Sequence, residues 1–227
     1  MILALCYGRP SGTLSVKTQL PPVLEPSGYY TFTDVIHRVC SVCLGFLRHR
    51  LWTEESDEHQ SYRYANQLLQ KIEDILLEAQ PHLRSTVNCL TVQQHVEYFA
   101  VAIYKNHAAA QILMLTLQDS LGEHHANEHQ ISDLLFNKTV AIVEAYLRLR
   151  QLSTLSSHYW PLLQASVSAA KFLVTRTSAT ERSRMYPLVK ALIASLKSSC
   201  DEAIGVVNGF STSLSQIVGD LTMLLQT

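Results

Sequence analysis

His125-Ala126-Asn127-Glu128-His129 spells H-x-x-E-H. In that spacing two histidines a helical turn apart can grip zinc while the glutamate beside them serves as base. Glu123, His124 and Asp133 thicken the cluster. A working site of this kind needs both histidines on one rigid helix and a further protein ligand from elsewhere. Here the motif follows Gly122 and precedes the restart of the apolar period at Ile131. It therefore reads as a solvated polar loop or a frayed first turn, and no metal is expected there. Cys40-x-x-Cys43 has the spacing of a redox or zinc-ribbon pair, but the chain has no second such pair and no βαβ pattern around it. Both cysteines fall on the apolar stripe of a helix, where a free thiol packs as a small hydrophobe.

No G-x-S-x-G, P-loop or G-x-G-x-x-G occurs, and the glycine pair Gly205 and Gly209 lacks the lysine of a phosphate loop. The basic groups Arg48/Arg50, Arg148/Arg150 and Arg176/Arg182/Arg184 read as helix ends or solvated faces. What remains for chemistry is histidine and tyrosine set among apolar positions: His95, Tyr98, Tyr104, His107, Tyr146 and His158. These are the candidates to line a cavity between helices and to orient a small hydrophobic ligand through a few hydrogen bonds. The plainer reading makes most such rings core residues whose polar tip reaches a partner. None of these groups implies a cofactor.

The elements that must hold these side chains are helices. Val35, Ile36, Val39, Cys40, Cys43, Leu44, Leu47 and Leu51 recur in steps of three and four from Thr33 to about Leu51, with Thr33 or Asp34 placed to cap the start. A second stripe runs from Tyr62 to Ala79 and stops before Pro81, and a long one spans about Thr91 to Leu121. In that third helix Ala108-Ala109-Ala110 leaves room for a neighbour to approach closely. A fourth pattern runs from Ile131 to Leu152, and Trp160-Pro161 opens a fifth, with proline where its missing N–H costs nothing. Ser178 and Glu181 have capping-box spacing for a sixth, in which Pro187 predicts a kink or break near Tyr186. The last helix begins near Ser211. Sustained strand alternation is missing, so the expected fold is all-α: a single domain of about seven helices over residues 31–227. The expected core includes Val39, Leu47, Leu69, Ile72, Leu76, Phe99, Ile103, Leu113, Leu135, Ile142, Leu149, Leu163, Leu192, Leu214, Ile217 and Leu221. Residues 1–30 carry four of the seven prolines and read as an irregular lead-in.

Composition agrees. A chain of 227 residues that is 47% apolar and 16% charged can bury a core and is too greasy for a disordered region. Lys+Arg 18 against Asp+Glu 19 leaves a formal net charge of -1, which offers no broad footprint for nucleic acid or an anionic membrane. Five scattered cysteines make no disulfide framework and favour a reducing compartment. MILALCYGRP lacks a basic leader and is too short for a signal peptide's apolar core. No stretch reaches the roughly 18 uninterrupted apolar residues of a membrane span. The sequence-level expectation is a soluble, intracellular protein.

Leu3-Ala4-Leu5-Cys6-Tyr7-Gly8-Arg9-Pro10-Ser11, followed by Leu20-Pro21-Pro22, resembles a passage in the regulatory, or middle homology, domain of fungal zinc-cluster transcription factors. There a Leu/Ala-rich helix ends in Leu-Gly-Arg-Pro-Ser and a loop leads to a Leu-Pro pair; Tyr7 stands where the family has Leu. Tyr159-Trp160-Pro161-Leu162 is similar to a Trp-Pro element late in such domains, whereas Tyr104-Lys105-Asn106-His107 replaces the family's Leu-His-Arg-Pro type signature. The six-cysteine DNA-reading cluster is missing from the sequence, and the chain starts within the last helix that precedes the Gly-Arg-Pro motif. The resemblance thus implies the C-terminal part of a regulatory domain, either a truncated gene model or a domain standing alone. Such a domain would be all-helical and would act through an effector or partner without touching DNA or membrane. It would be nuclear as part of a transcription factor and cytoplasmic otherwise. The alternative is a stand-alone helical protein turned to binding a small hydrophobic molecule, or to cyclase-like chemistry in fungal secondary metabolism. If helices are missing upstream, the first stripe (Ile36, Val39, Cys43, Leu47) and the last (Leu214, Ile217, Leu221, Leu225) lose their neighbours. A two-fold homodimer burying those faces is then expected.

Overall fold

The computed structural model of the chain describes residues 28–52, 58–119, 125–152, 160–176, 179–203 and 208–226. Eight α-helices occur among them: α1 (Phe32–Trp52), α2 (Glu58–Leu77), α3 (Pro81–Arg84), α4 (Val92–Asp119), α5 (His125–Leu152), α6 (Trp160–Arg176), α7 (Ala179–Ala203) and α8 (Asn208–Gln226). A 3-10 turn over Thr86–Asn88 joins α3 to α4. No strand occurs among the described residues; one isolated parallel bridge links Tyr30 to Ala79. The all-α class is as expected, and the eighth helix is the four-residue α3, too short for a period to reveal.

Local chemistry sets the ends. Thr31 caps α1: its hydroxyl oxygen accepts the Asp34 backbone N–H at 3.3 Å, and the Asp34 carboxylate accepts the Thr31 N–H at 3.1 Å. This reciprocal box places the cap at Thr31, ahead of the Thr33 or Asp34 that the sequence suggested, with Asp34 at the third helical position. Thr91 and Gln94 build the same device at α4: the Gln94 N–H donates to Thr91 Oγ1 at 3.2 Å, and Gln94 Oε1 accepts the N–H groups of Leu90 (2.7 Å) and Thr91 (3.3 Å). Pro81 follows the end of α2 and opens α3, while Arg84 Nε donates to the Ala79 carbonyl at 2.6 Å. Helix α5 begins at His125, so H-x-x-E-H occupies its first turns and not a loop. A polar opening hid that start from the apolar period. Helix α7 runs through Pro187 without the expected break. Pro187 is exposed, so water can replace the donor that the carbonyl four residues earlier loses. Ser178, the expected cap of that helix, lies outside the described residues.

Helix α4 is the hub. It packs most extensively on α5 and also touches α1, α2, α3 and α6. Helix α5 continues the layer to α6 and α7, and α8 closes against α7 and α6. The centre of α4 is consequently enclosed on all sides. Ala100, Val101, Ile103, Tyr104, Asn106 to Ala110, Ile112, Leu113 and Thr116 are buried, although they point all around the helix axis. The Ala108-Ala109-Ala110 run lies in this stretch, each alanine 3% exposed or less. Outside the core, Glu73 of α2 spans two helices, 3.6 Å from Lys105 of α4 and 3.6 Å from Lys138 of α5.

Of the expected core, Val39, Ile72, Leu76, Ile103, Leu113, Leu135, Ile142, Leu149, Leu163, Leu192 and Leu221 are buried, and Leu47, Leu69, Phe99 and Ile217 are half-buried. Leu214 lies outside the residues whose side chains are described. Of the stripes expected to stay open for a dimer, that of α1 is largely covered within the single chain and that of α8 is covered in part. Ile36, Val39 and Cys43 are buried where α1 packs on α2 and α4, and Leu221 is buried where α8 packs on α6 and α7, with Leu225 half-buried.

Candidate functional site

The sequence-level candidates divide by position on one straight element. At about 100° per residue, His95 and Tyr98 lie on one side of α4, and Tyr104 and His107 on the opposite side, with about 18 Å of rise from His95 to His107. They do not form one constellation. His95 is half-buried, its Nδ1 3.0 Å from the Thr91 carbonyl, so it belongs to the helix start. Tyr98 is half-buried with its ring edge-on to Phe99 at 5.2 Å. Tyr104 (7% exposed) and His107 (2%) are deep in the hub, one turn apart. Tyr146, 1% exposed, is the largest fully buried side chain among the described residues and sits on α5, the helix that packs most on α4. His158 lies outside the described residues.

The buried candidates are thus Tyr104 and His107 on α4 and Tyr146 on α5, and the structure adds Asn106, also buried on α4 but turned about 160° from Tyr104, towards the side of His95. Asn106 Nδ2 donates to the Ala102 carbonyl at 2.8 Å. Burial pushes the Tyr146 hydroxyl up to about 12, with the Arg150 guanidinium opposing the rise. A phenol held that high is neutral at physiological pH and acts as a hydrogen-bonding group, not a base. Thr116, Thr139 and Ser166, also buried, turn their hydroxyls back onto carbonyls of the preceding turn at 2.8–3.0 Å. Asn106 carries no motif in the sequence, and its polar neighbours Lys105 and His107 leave nothing to mark it as buried.

The cysteine pair has no redox geometry. Cys40 and Cys43 form no disulfide and are fully buried members of the α1 core face. Burial, with Cys40 adjacent, drives the Cys43 thiol far above its ordinary value, which keeps it protonated and unreactive. His129 of the H-x-x-E-H motif is exposed. Among the described residues no three His, Cys, Asp or Glu side chains converge as metal ligands would, and no helix is long and apolar enough to cross a membrane.

A second polar group gathers where the chain enters α1. Gly28, with φ of 70°, adopts the left-handed backbone that glycine allows and turns the chain into Tyr29. The Tyr30 N–H donates to the Glu78 carbonyl (2.9 Å), and the Gln80 N–H donates to the Tyr30 carbonyl (3.0 Å). The Arg38 guanidinium lies 4.0 Å from the centre of the Tyr30 ring, and that of Arg84 lies 5.0 Å from Tyr29. A hydrogen bond to Glu78 raises the Tyr30 phenol, burial adds to the rise, and Arg38 opposes it. Nearby, His82 Nε2 and Glu97 Oε2 meet at 3.0 Å and tie α3 to α4, and the Cys89 thiol donates to the His82 carbonyl at 3.4 Å. These contacts clamp the lead-in to the α2–α3 junction and hold structure together.

No family model, no curated protein and no solved structure matches this chain.

Proposed function

We propose that the chain is a helical regulatory-type module that binds an effector or a partner and contacts neither DNA nor membrane directly. The observation that supports it best is the chemistry of the buried polar groups on α4 and α5. Tyr104, Asn106, His107 and Tyr146 are buried beside apolar neighbours, and the Tyr146 hydroxyl is held neutral. Such groups orient a ligand or a packed helix through hydrogen bonds, and the neutral Tyr146 phenol is poorly suited to moving protons. The resemblance of the Gly8 to Ser11 passage to fungal transcription factor regulatory domains points the same way. On this reading the module works in the nucleus when joined to a DNA-reading partner and in the cytoplasm otherwise.

The test is a pair of titrations on the purified chain. A screen of small apolar molecules by thermal shift is expected to find a ligand whose stabilisation grows with concentration, reaching about 2.7 kcal/mol at a hundredfold excess over Kd. His107→Gln and Tyr146→Phe are expected to weaken it. Tight, site-selective retardation of duplex DNA in a gel-shift titration would overturn the proposal.

A second reading, a stand-alone protein doing cyclase-like chemistry on a small hydrophobic substrate, is favoured by one feature, the buried His107 of the hub helix, whose imidazole is a side chain able to act as acid or base. Conversion of the bound ligand to product, lost in His107→Gln, would select it. A homodimer remains part of the proposal; Ile36, Val39 and Cys43 of α1 are buried within the chain, and the half-buried Ile217 and Leu225 of α8 are the part of the expected faces left for it.

A further inference from the structure

The central span of α7 carries positive charge with no counter-charge of its own. From Arg182 to Cys200 the sequence holds Arg182, Arg184, Lys190 and Lys197 and no Asp or Glu. Helix α2 shows the ordinary pattern of a solvated helix, with Lys71 followed closely by Glu73 and Asp74. Lysines that reach across helix boundaries elsewhere are paired: Lys105 and Lys138 share Glu73, and Lys171 meets Asp220 at 3.3 Å. Lys190 and Lys197 are exposed and make no ion pair or hydrogen bond among the described residues.

Their positions on one helix make a single surface. Met185, Val189, Leu192, Ile193 and Leu196 are buried and define the inner side of α7. At about 100° per residue, Tyr186, Lys190, Ala194 and Lys197 fall within about 80° of arc on the outer side, with about 10 Å of rise between the two lysines. All four are exposed, Tyr186 by 45%. Ala191 and Ser198, exposed as well, widen the face on the side of Ala194. Small side chains there let a second helix come close. The lysines stand seven residues apart, the repeat at which a packed partner helix presents the same face again. Tyr186 adds a ring of the kind that anchors interfaces. Lysines in single file on a chain of formal net charge -1 do not make the broad positive field that nucleic acid or an anionic membrane requires.

We propose that the outer face of α7 docks an acidic amphipathic helix of a partner protein, whose carboxylates, seven residues apart, meet Lys190 and Lys197 while its apolar residues rest on Ala194 and Tyr186. The proposal rests on the partner-binding half of the function proposed above and supplies its surface. A fluorescein-labelled synthetic helix with Glu at seven-residue spacing among Ala and Leu is titrated with the full chain and followed by anisotropy. Saturable binding is expected. It should be about tenfold tighter than for a peptide of the same composition with Glu five residues apart, which turns the carboxylates to different faces, and about tenfold weaker with Lys190→Glu plus Lys197→Glu. Both lysines are exposed, so the fold tolerates the change, and Lys71→Glu on exposed α2 should leave binding unchanged. No binding, equal binding of the two peptides, or indifference to the α7 reversals would overturn the proposal. Capture of duplex DNA or phosphatidylserine vesicles in the peptide's place, lost in the same double variant, would overturn it too. A small-molecule ligand found by thermal shift beside a failed peptide titration would sink this docking face alone and leave the effector-binding reading standing.

Discussion

Tyr146→Phe removes one hydroxyl from the core and should change how stability depends on alkaline pH. The phenol is 1% exposed, and its ionisation is pushed from 10 to about 12 by burial, with Arg150 pulling the other way. Below pH 10 it is neutral in both the folded and the unfolded chain, and its contribution is fully present. As pH rises from 10 towards 12 the unfolded chain loses the proton first, so the folded state loses ground by about 1.36 kcal/mol per pH unit. Across that window the loss comes to about 3 kcal/mol. The phenylalanine variant has no proton to lose there, while every other titrating group is shared. Urea unfolding followed by circular dichroism, at intervals from about pH 8 to about pH 12, gives the stability of both proteins. The wild-type value minus the variant value should be flat up to about pH 10 and then fall by about 3 kcal/mol. A difference that stays constant to pH 12, or a fall complete before pH 10, would refute the reasoning.

Ile142→Ala empties a fully buried site on α5 and should cost about 2–5 kcal/mol in chemical denaturation; a loss below about 1 kcal/mol would mean that α4 and α5 do not pack as described. Thr31→Ala removes the α1 cap and should cost about 1 kcal/mol, with Thr31→Ser recovering most of it. Glu73→Gln breaks the links to Lys105 and Lys138 at a site that is 47% exposed. It should cost less than about 1 kcal/mol in low salt and almost nothing near 1 M salt, as paired denaturation curves would show.

The helices were legible because their apolar positions recur at the right period, and the ends were less so. Thr31 carries the cap of α1, yet Thr33 and Asp34 compete for that role in the sequence, and only the Thr31–Asp34 hydrogen bonds decide between them. The start of α5 is polar, so no periodicity marks it, and the exposed position of Pro187 cannot be read from neighbours alone. The division of His95 and Tyr98 from Tyr104 and His107 follows from residue numbers once α4 is known to be continuous. What the sequence could not supply is which of those faces is deep, because α4 is enclosed all round and its apolar residues draw no single stripe. The fate of the α1 and α8 stripes was equally hidden, since both depend on neighbours far along the chain.

The enclosure of α4 also governs how this protein can change over evolutionary time. No residue from Gln94 to Leu117 is exposed, so this stretch offers no solvent face on which substitutions can drift freely. In a saturation mutagenesis screen, tolerance along α2 should rise and fall with the helical turn, following Ala65, Leu68, Ile72 and Leu76 against exposed Asn66, Gln67, Lys71 and Glu73. Along α4 it should stay uniformly low. A one-residue insertion there would rotate everything beyond it by about 100° and disengage several neighbouring helices at once. Lineages that share this fold should therefore vary in length at the connections between helices and hold α4 to a fixed number of residues.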